Sequence, residues 1–226
     1  NNGVINGLST FWNENVKNFK GQNWGGIQAM NSQRGAIIFI CTNDWFLTSY
    51  DQNYLQVNSN GVVTATLPDK ISDPHQRIGQ NYGVSEEHTS SIIFFDGMIQ
   101  WFDGKNGAII GCDYQSAKDI TEGAIKGWTL DKSMFIQNYN ANHSTDRNFE
   151  RMLYEVVAGI CPLYKEYHLT IRPRRNLSSD VNDFINHERD LAIGEGETMV
   201  YNNQVGAWVN MRQYTAEYYG KLRTSK

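Results

Sequence analysis

Cysteine is nearly absent: Cys41, Cys112 and Cys161 are the only three in 226 residues, and none lies in a CxxC pair. That number and spacing exclude a zinc knuckle and a disulfide framework. Cys41 and Cys112 each close an apolar run, so both are read as small buried residues of a protein held in a reducing compartment. Charge is scarce as well, at 19% of residues, and nearly balanced at a net −4. A nucleic-acid reader gathers Lys and Arg on one face. Here the single basic cluster is Arg172-Pro173-Arg174-Arg175, read as a solvated strand end rather than a grip on phosphates. No run of about 18 apolar residues occurs, so no membrane-spanning helix and no membrane insertion are expected.

Catalytic signatures are missing too. There is no GxSxG elbow, Walker loop or GxGxxG fingerprint, and Gly194-Glu195-Gly196-Glu197 lacks the third glycine of a nucleotide turn. The five histidines, His75, His88, His143, His168 and His187, stand apart from one another and form no HExxH. His88 follows Glu86-Glu87, but adjacent residues on a strand point to opposite faces, so a solvated turn is expected there rather than a metal pocket. Asp103-Gly104-Lys105-Asn106-Gly107 echoes a calcium loop without its alternating oxygen ligands or terminal Glu, and reads as a hairpin turn. Carboxylates paired for glycoside cleavage lie far apart in a chain and leave no local pattern. The expectation is of no catalytic residue, no cofactor and no metal, in a protein that is not an enzyme.

What the chain does have is apolar runs cut by turn chemistry. Its 40% apolar and 12% aromatic content supports a real core, enough for one large β domain or two smaller ones. Ile92–Phe95, Met98–Phe102 and Ala108–Cys112 are separated by Asp96-Gly97 and by Asp103–Gly107. Asp-Gly between β-prone runs favours a tight hairpin turn. The three runs are apolar at almost every position, which predicts an antiparallel meander covered on both faces. A second meander of similar design is predicted from Gly26–Met30, Ala36–Cys41 and Trp45–Tyr50, followed by an Asn60-Gly61 hairpin between Tyr54–Asn58 and Val62–Leu67. The first strands of the two meanders begin roughly 65 residues apart, longer than regular propeller repeats. Trp45 and Trp101 occupy matching places in the two meanders, which suits core packing between blades better than sugar stacking. The polar connector Pro68–Thr89 is long enough to carry a short strand or turn of its own.

After Gly127 the texture changes. Trp128–Tyr139 alternates apolar and polar residues and predicts a half-buried strand. Phe149–Ile160, Tyr164–Arg172 and Met199–Tyr214 are further strand candidates, the last with a hairpin loop at Asn202–Gly206. Within the polar excursion Arg174–Gly196, Asp180–Leu191 is a candidate short helix. The predicted fold is mainly β: antiparallel meanders forming part of a β-propeller over residues 1–127, then a β-sandwich-like C-terminal module over 128–226. The chain opens at Asn1-Asn2-Gly3 without Met and stops at Thr224-Ser225-Lys226, as expected of an internal segment of a longer protein.

Several stretches also carry a family likeness. They are Ile78-Gly79-Gln80-Asn81-Tyr82-Gly83, Thr89-Ser90-Ser91-Ile92-Ile93, Gly97-Met98-Ile99-Gln100-Trp101-Phe102-Asp103 and Asn106-Gly107. Towards the end stand Thr145-Asp146-Arg147-Asn148-Phe149-Glu150, Tyr201-Asn202, Gly206-Ala207-Trp208-Val209, Tyr214, Glu217-Tyr218 and Gly220-Lys221-Leu222-Arg223. In this pattern the chain resembles the tail nozzle proteins of short-tailed bacteriophages, also called muzzle or stabilization proteins, of the crAss-like type. It departs from them at Val209-Asn210-Met211, where a Thr/Ser-Phe-Tyr-like run is expected. The resemblance implies a structural virion protein of the tail, assembled in the bacterial host cytoplasm. It implies a ring of six copies around a distal channel through which double-stranded DNA passes without sequence-specific contact. It also implies neighbours among other tail proteins, such as adaptor or ring proteins and tail fibres.

Two other classes are weighed against this one, because fold alone does not fix function. A carbohydrate- or receptor-binding tail module needs two or more Trp or Tyr exposed together on a concave face. A propeller-based glycosidase needs carboxylates converging in a pocket with displaced pKa values. The nozzle reading needs Trp45 and Trp101 buried and a large ring interface.

Overall fold

Apolar runs broken by turn residues become antiparallel strands throughout. The computed structural model describes residues 23–33, 36–49, 55–57, 63–65, 81–114, 116–143, 154–173, 197–212, 214, 216 and 218–220. Strands β1 (Ile27–Gln33), β2 (Ala36–Cys41) and β3 (Trp45–Ser49) form a first sheet, and β4 (Leu55–Val57) pairs with β5 (Val63–Ala65). A middle sheet contains β6 (Ile93–Phe95), β7 (Met98–Asp103), β8 (Ala108–Cys112) and β9 (Ala117–Asp119). The C-terminal sheet contains β10 (Tyr154–Cys161), β11 (Glu166–Pro173), β12 (Glu197–Asn202) and β13 (Ala207–Arg212). Each sheet keeps its strands in chain order, and no sheet closes on itself among the described residues. The protein is mainly β with antiparallel sheets.

The Asp-Gly turn forms as its chemistry requires. Asp96 and Gly97 both have positive φ, 49° and 78°, the pair of left-handed residues that matches the twist of a two-residue hairpin. The predicted Asn60-Gly61 turn lies outside the described residues, but the strands it would join pair in register, Leu55 with Ala65 and Val57 with Val63. The first twenty residues and the candidate helix at Asp180–Leu191 also lie outside them.

Period-two alternation sorts the middle sheet into two faces. Ile99 and Trp101 of β7 with Ala108, Ile110 and Cys112 of β8 meet Ile38, Ile40 and Trp45 of the first sheet. Phe102 and Ile109 point the other way, into a cluster with Tyr154, Val156, Tyr167, Leu169 and Ile171 of the C-terminal sheet. The middle sheet is therefore the filling of a stack, buried on both faces, as its unbroken apolar runs predict. Each large side chain buried there contributes roughly 1.5–3 kcal/mol. The second cluster draws on both sides of Gly127, with Ile120 before it and Ile136 after it, so a common core crosses that position.

One predicted strand is a helix. Residues Lys126–His143 form α1, where alternation had suggested a half-buried strand over Trp128–Tyr139. The buried positions on α1 are Thr129, Ser133 and Ile136, spaced by four and three residues as on a helix face. Two of them are polar because they have backbone acceptors: Thr129 Oγ1 donates to Lys126 O at 3.0 Å, and Ser133 Oγ donates to Gly104 O. Trp128 Nε1 donates to Glu197 Oε2 at 3.1 Å and Lys132 pairs with the same carboxylate at 3.3 Å, which ties α1 to the start of β12.

Candidate functional site

Polar chemistry concentrates in three places. The first is the outer face of the C-terminal sheet. Alternation puts Tyr154, Val156, Tyr167, Leu169 and Ile171 in the core and leaves Glu155, Glu166, His168, Thr170 and Arg172 on the opposite side. Arg172 Nη2 meets Glu155 Oε1 at 2.5 Å across the β10–β11 pair; both are largely covered, so this part of the basic cluster is an ion pair, not a solvated strand end. Arg174 and Arg175 lie outside the described residues.

The C-terminal segment crosses this face and is held by its tyrosines. Tyr214 Oη lies 2.6 Å from His168 Nδ1, and Tyr219 Oη lies 2.7 Å from Thr170 Oγ1. Thr170 and Thr198 hydroxyls are 2.7 Å apart, and Thr198 Oγ1 donates to Tyr214 O at 2.6 Å. Glu166 Oε2 faces His168 Nε2 at 3.3 Å. That carboxylate favours a proton on Nε2, leaving Nδ1 to accept from the Tyr214 hydroxyl. Burial lowers the His168 pKa against the opposing pull of Glu166, and burial pushes Tyr219 up to about 12. The Tyr219 ring sits directly on Gly159: a β-carbon at 159 would lie 2.3 Å from its Cγ. These groups fasten one backbone segment to another, and their hydroxyls and imidazole are occupied in doing so.

The second place surrounds His88. It lies on a 3-10 helix, Glu86–Ser91, at the end of the long connector. Against the expectation of a solvated turn, His88 is buried at 3% exposure, while Glu86 and Glu87 are exposed. A 3-10 helix eclipses residues i and i+3, so His88 and Ser91 turn inward together. The imidazole packs edge-on to Phe102 at 5.4 Å between centroids, and burial lowers its pKa to about 4. Ser91 Oγ donates to His88 O at 2.6 Å and accepts from Phe102 N at 3.1 Å, stitching the connector to β7. Nearby, Asp103 folds the β7–β8 turn by accepting from Lys105 N, Asn106 N and Asn106 Nδ2 at 2.9, 3.1 and 2.7 Å. Burial raises its pKa, partly offset by those hydrogen bonds. This is the hairpin turn expected of Asp103–Gly107. Among the described residues no three His, Cys, Asp or Glu side chains gather closely enough to hold a metal ion.

The third place is an open groove of about 370 Å³ at one end of the stack. Asn31, Ser32 and Gln33 at the end of β1 form one side; residues 94–98 of the β6–β7 hairpin and Tyr114 of the β8–β9 turn complete it. Asn31 Nδ2 donates to Tyr114 Oη at 2.7 Å. Tyr114 has φ +65°, a left-handed backbone that a bulky residue adopts at a cost of about 1–3 kcal/mol. Sequence reasoning passed over this groove, because its walls come from three segments spread over the 83 positions from Asn31 to Tyr114.

The tryptophans answer a different question. Trp45 and Trp101 are 1% and 0% exposed and meet edge-on at 6.4 Å, a core pair between the first two sheets. Trp24 is buried on the other face of the first sheet, stacked on Phe46 at 4.3 Å. Cys41 and Cys112 are buried and free, and burial pushes each thiol up to about 11, which makes them poor nucleophiles. No known protein family and no curated protein matches this chain.

Proposed function

We propose that this chain is a structural virion protein, a subunit of the nozzle ring at the distal end of a short phage tail of the crAss-like type. The observation that carries the reading is the face-to-face stacking of antiparallel meanders, with Trp45 and Trp101 sealed between two of them. Successive meanders packed in this way are how propeller blades bury their faces, and a partial propeller is the finer fold we assign. Rigid layered sheets, with the buried, poorly nucleophilic thiols of Cys41 and Cys112 and with tyrosine hydroxyls bonded to side chains of the C-terminal sheet, suit a scaffold. The sparse positive charge suits a conduit: each phosphate contact adds affinity and salt dependence, which would hold back a genome passing through.

The test is the native mass of the assembly containing this chain, taken from gently disrupted particles or from the full-length protein. A ring near six copies, with other tail proteins attached, is the expected result. A free monomer or simple trimer overturns the nozzle reading.

A further inference from the structure

We propose that the groove between the end of β1 and the β6–β7 hairpin is a binding site for a neutral sugar unit of a glycan. Its volume, about 370 Å³, lies within the usual span of small-molecule sites, ~300–1,000 Å³. The lining supplies what a pyranose needs. The amides of Asn31 and Gln33, which share one face of β1, can each exchange hydrogen bonds with vicinal hydroxyls, which donate and accept at once. Phe94, 37% exposed, offers an apolar face for the ring's C–H side.

Charge narrows the ligand class. The described lining holds one ionisable acid, Asp96, and no Lys or Arg. Lys165 of the β10–β11 turn balances that acid at 3.0 Å. Among the described lining residues no cation stands ready for a phosphate or sulfate, and Lys165 is held by Asp96, whereas an uncharged polyol meets no unbalanced charge.

The backbone points to the same place. At φ +65° a turn alone is served better by Gly or Asn. Tyr114 stands there, and its hydroxyl accepts from Asn31 at 2.7 Å while keeping its own proton to donate onward. Strain retained at a ligand-facing ring is a mark of pre-organisation. The inference does not depend on ring assembly, since every lining residue belongs to one chain.

The test is titration of the full chain with neutral oligosaccharides built from glucose, galactose, mannose and N-acetylglucosamine, followed by calorimetry and ligand-observed NMR. At least one of them is expected to bind, and Phe94→Ala and Tyr114→Gly are each expected to weaken it tenfold or more. Tyr114→Gly separates binding from folding, because glycine accepts the left-handed backbone and the turn survives; the thermal midpoint is read alongside. Failure of the whole panel to bind overturns the proposal. So does binding that survives both substitutions, or occupation of the groove by an extended peptide pairing with β1 in place of the sugars.

Discussion

The middle and C-terminal sheets share one topology, four antiparallel strands in chain order, yet they are stabilised differently. The middle sheet is apolar on both faces because a neighbour covers each. The C-terminal sheet is apolar on one face and polar on the other, where tyrosines from its own chain close over Thr170, Thr198 and His168. Strand order alone therefore does not decide what a sheet needs. Unbroken apolar runs as in β8 demand two partners, and alternation as in β11 demands one. The hydrophobic effect holds the first sheet pair together without directional contacts. The tyrosine strap depends on hydrogen bonds worth about 1 kcal/mol each and on one close fit.

The contrast can be broken most severely at the middle sheet. Trp101→Ala empties a site buried on all sides and is expected to cost about 3–5 kcal/mol, measured by urea unfolding. A loss under ~1 kcal/mol would show that the two sheets do not depend on each other. Acid comes next. His88 has a pKa of about 4 in the fold against 6.5 unfolded, so the unfolded chain binds more protons between those values. Its contribution is intact above pH 6.5 and is lost as pH falls towards 4, a difference of ~3 kcal/mol. His168 is shifted in the same direction, burial outweighing Glu166. His88→Phe keeps a ring against Phe102 but cannot take a proton, and should flatten most of that slope. An unchanged slope would move the acid sensitivity to the C-terminal sheet.

At the strap, Gly159→Ala drives a methyl group into Tyr219 and should cost about 1–3 kcal/mol. In a Tyr219→Ala background the same change should cost much less, a non-additivity read from a double-mutant cycle. Equal costs in both backgrounds would remove Tyr219 as the cause. The smallest effect belongs to the contact joining the two sheets at their turns. Lys165→Ala removes an exposed pair with Asp96 and should change stability by no more than ~0.5 kcal/mol.

Legibility in the sequence followed the same division. The Asp96-Gly97 hairpin, the two-faced burial of β7 and β8 and the alternating strands β10 and β11 could all be read, because turn chemistry and apolar pattern agreed. Helix α1 could not, since Thr129 and Ser133 occupy its buried face and erase the apolar stripe that announces a helix. Strand β9, only Ala117-Lys118-Asp119, is too short and too polar to announce itself. His88 was misplaced because a solvated turn was assumed where a 3-10 helix turns the imidazole inward. The groove was invisible for another reason: spatial proximity between Asn31 and Tyr114 has no local trace. A bulky residue at a position needing positive φ is the kind of clue only coordinates supply.

The contact between Gly159 and Tyr219 bears on how this protein can change over time. An aromatic ring fills the space where a side chain at 159 would stand, so the two positions cannot drift independently. A lineage that acquires a side chain at 159 must first shrink or lose the ring at 219, and one that keeps the ring is confined to glycine 60 residues upstream. Among relatives of this chain, an aromatic at one position should coincide with glycine at the other.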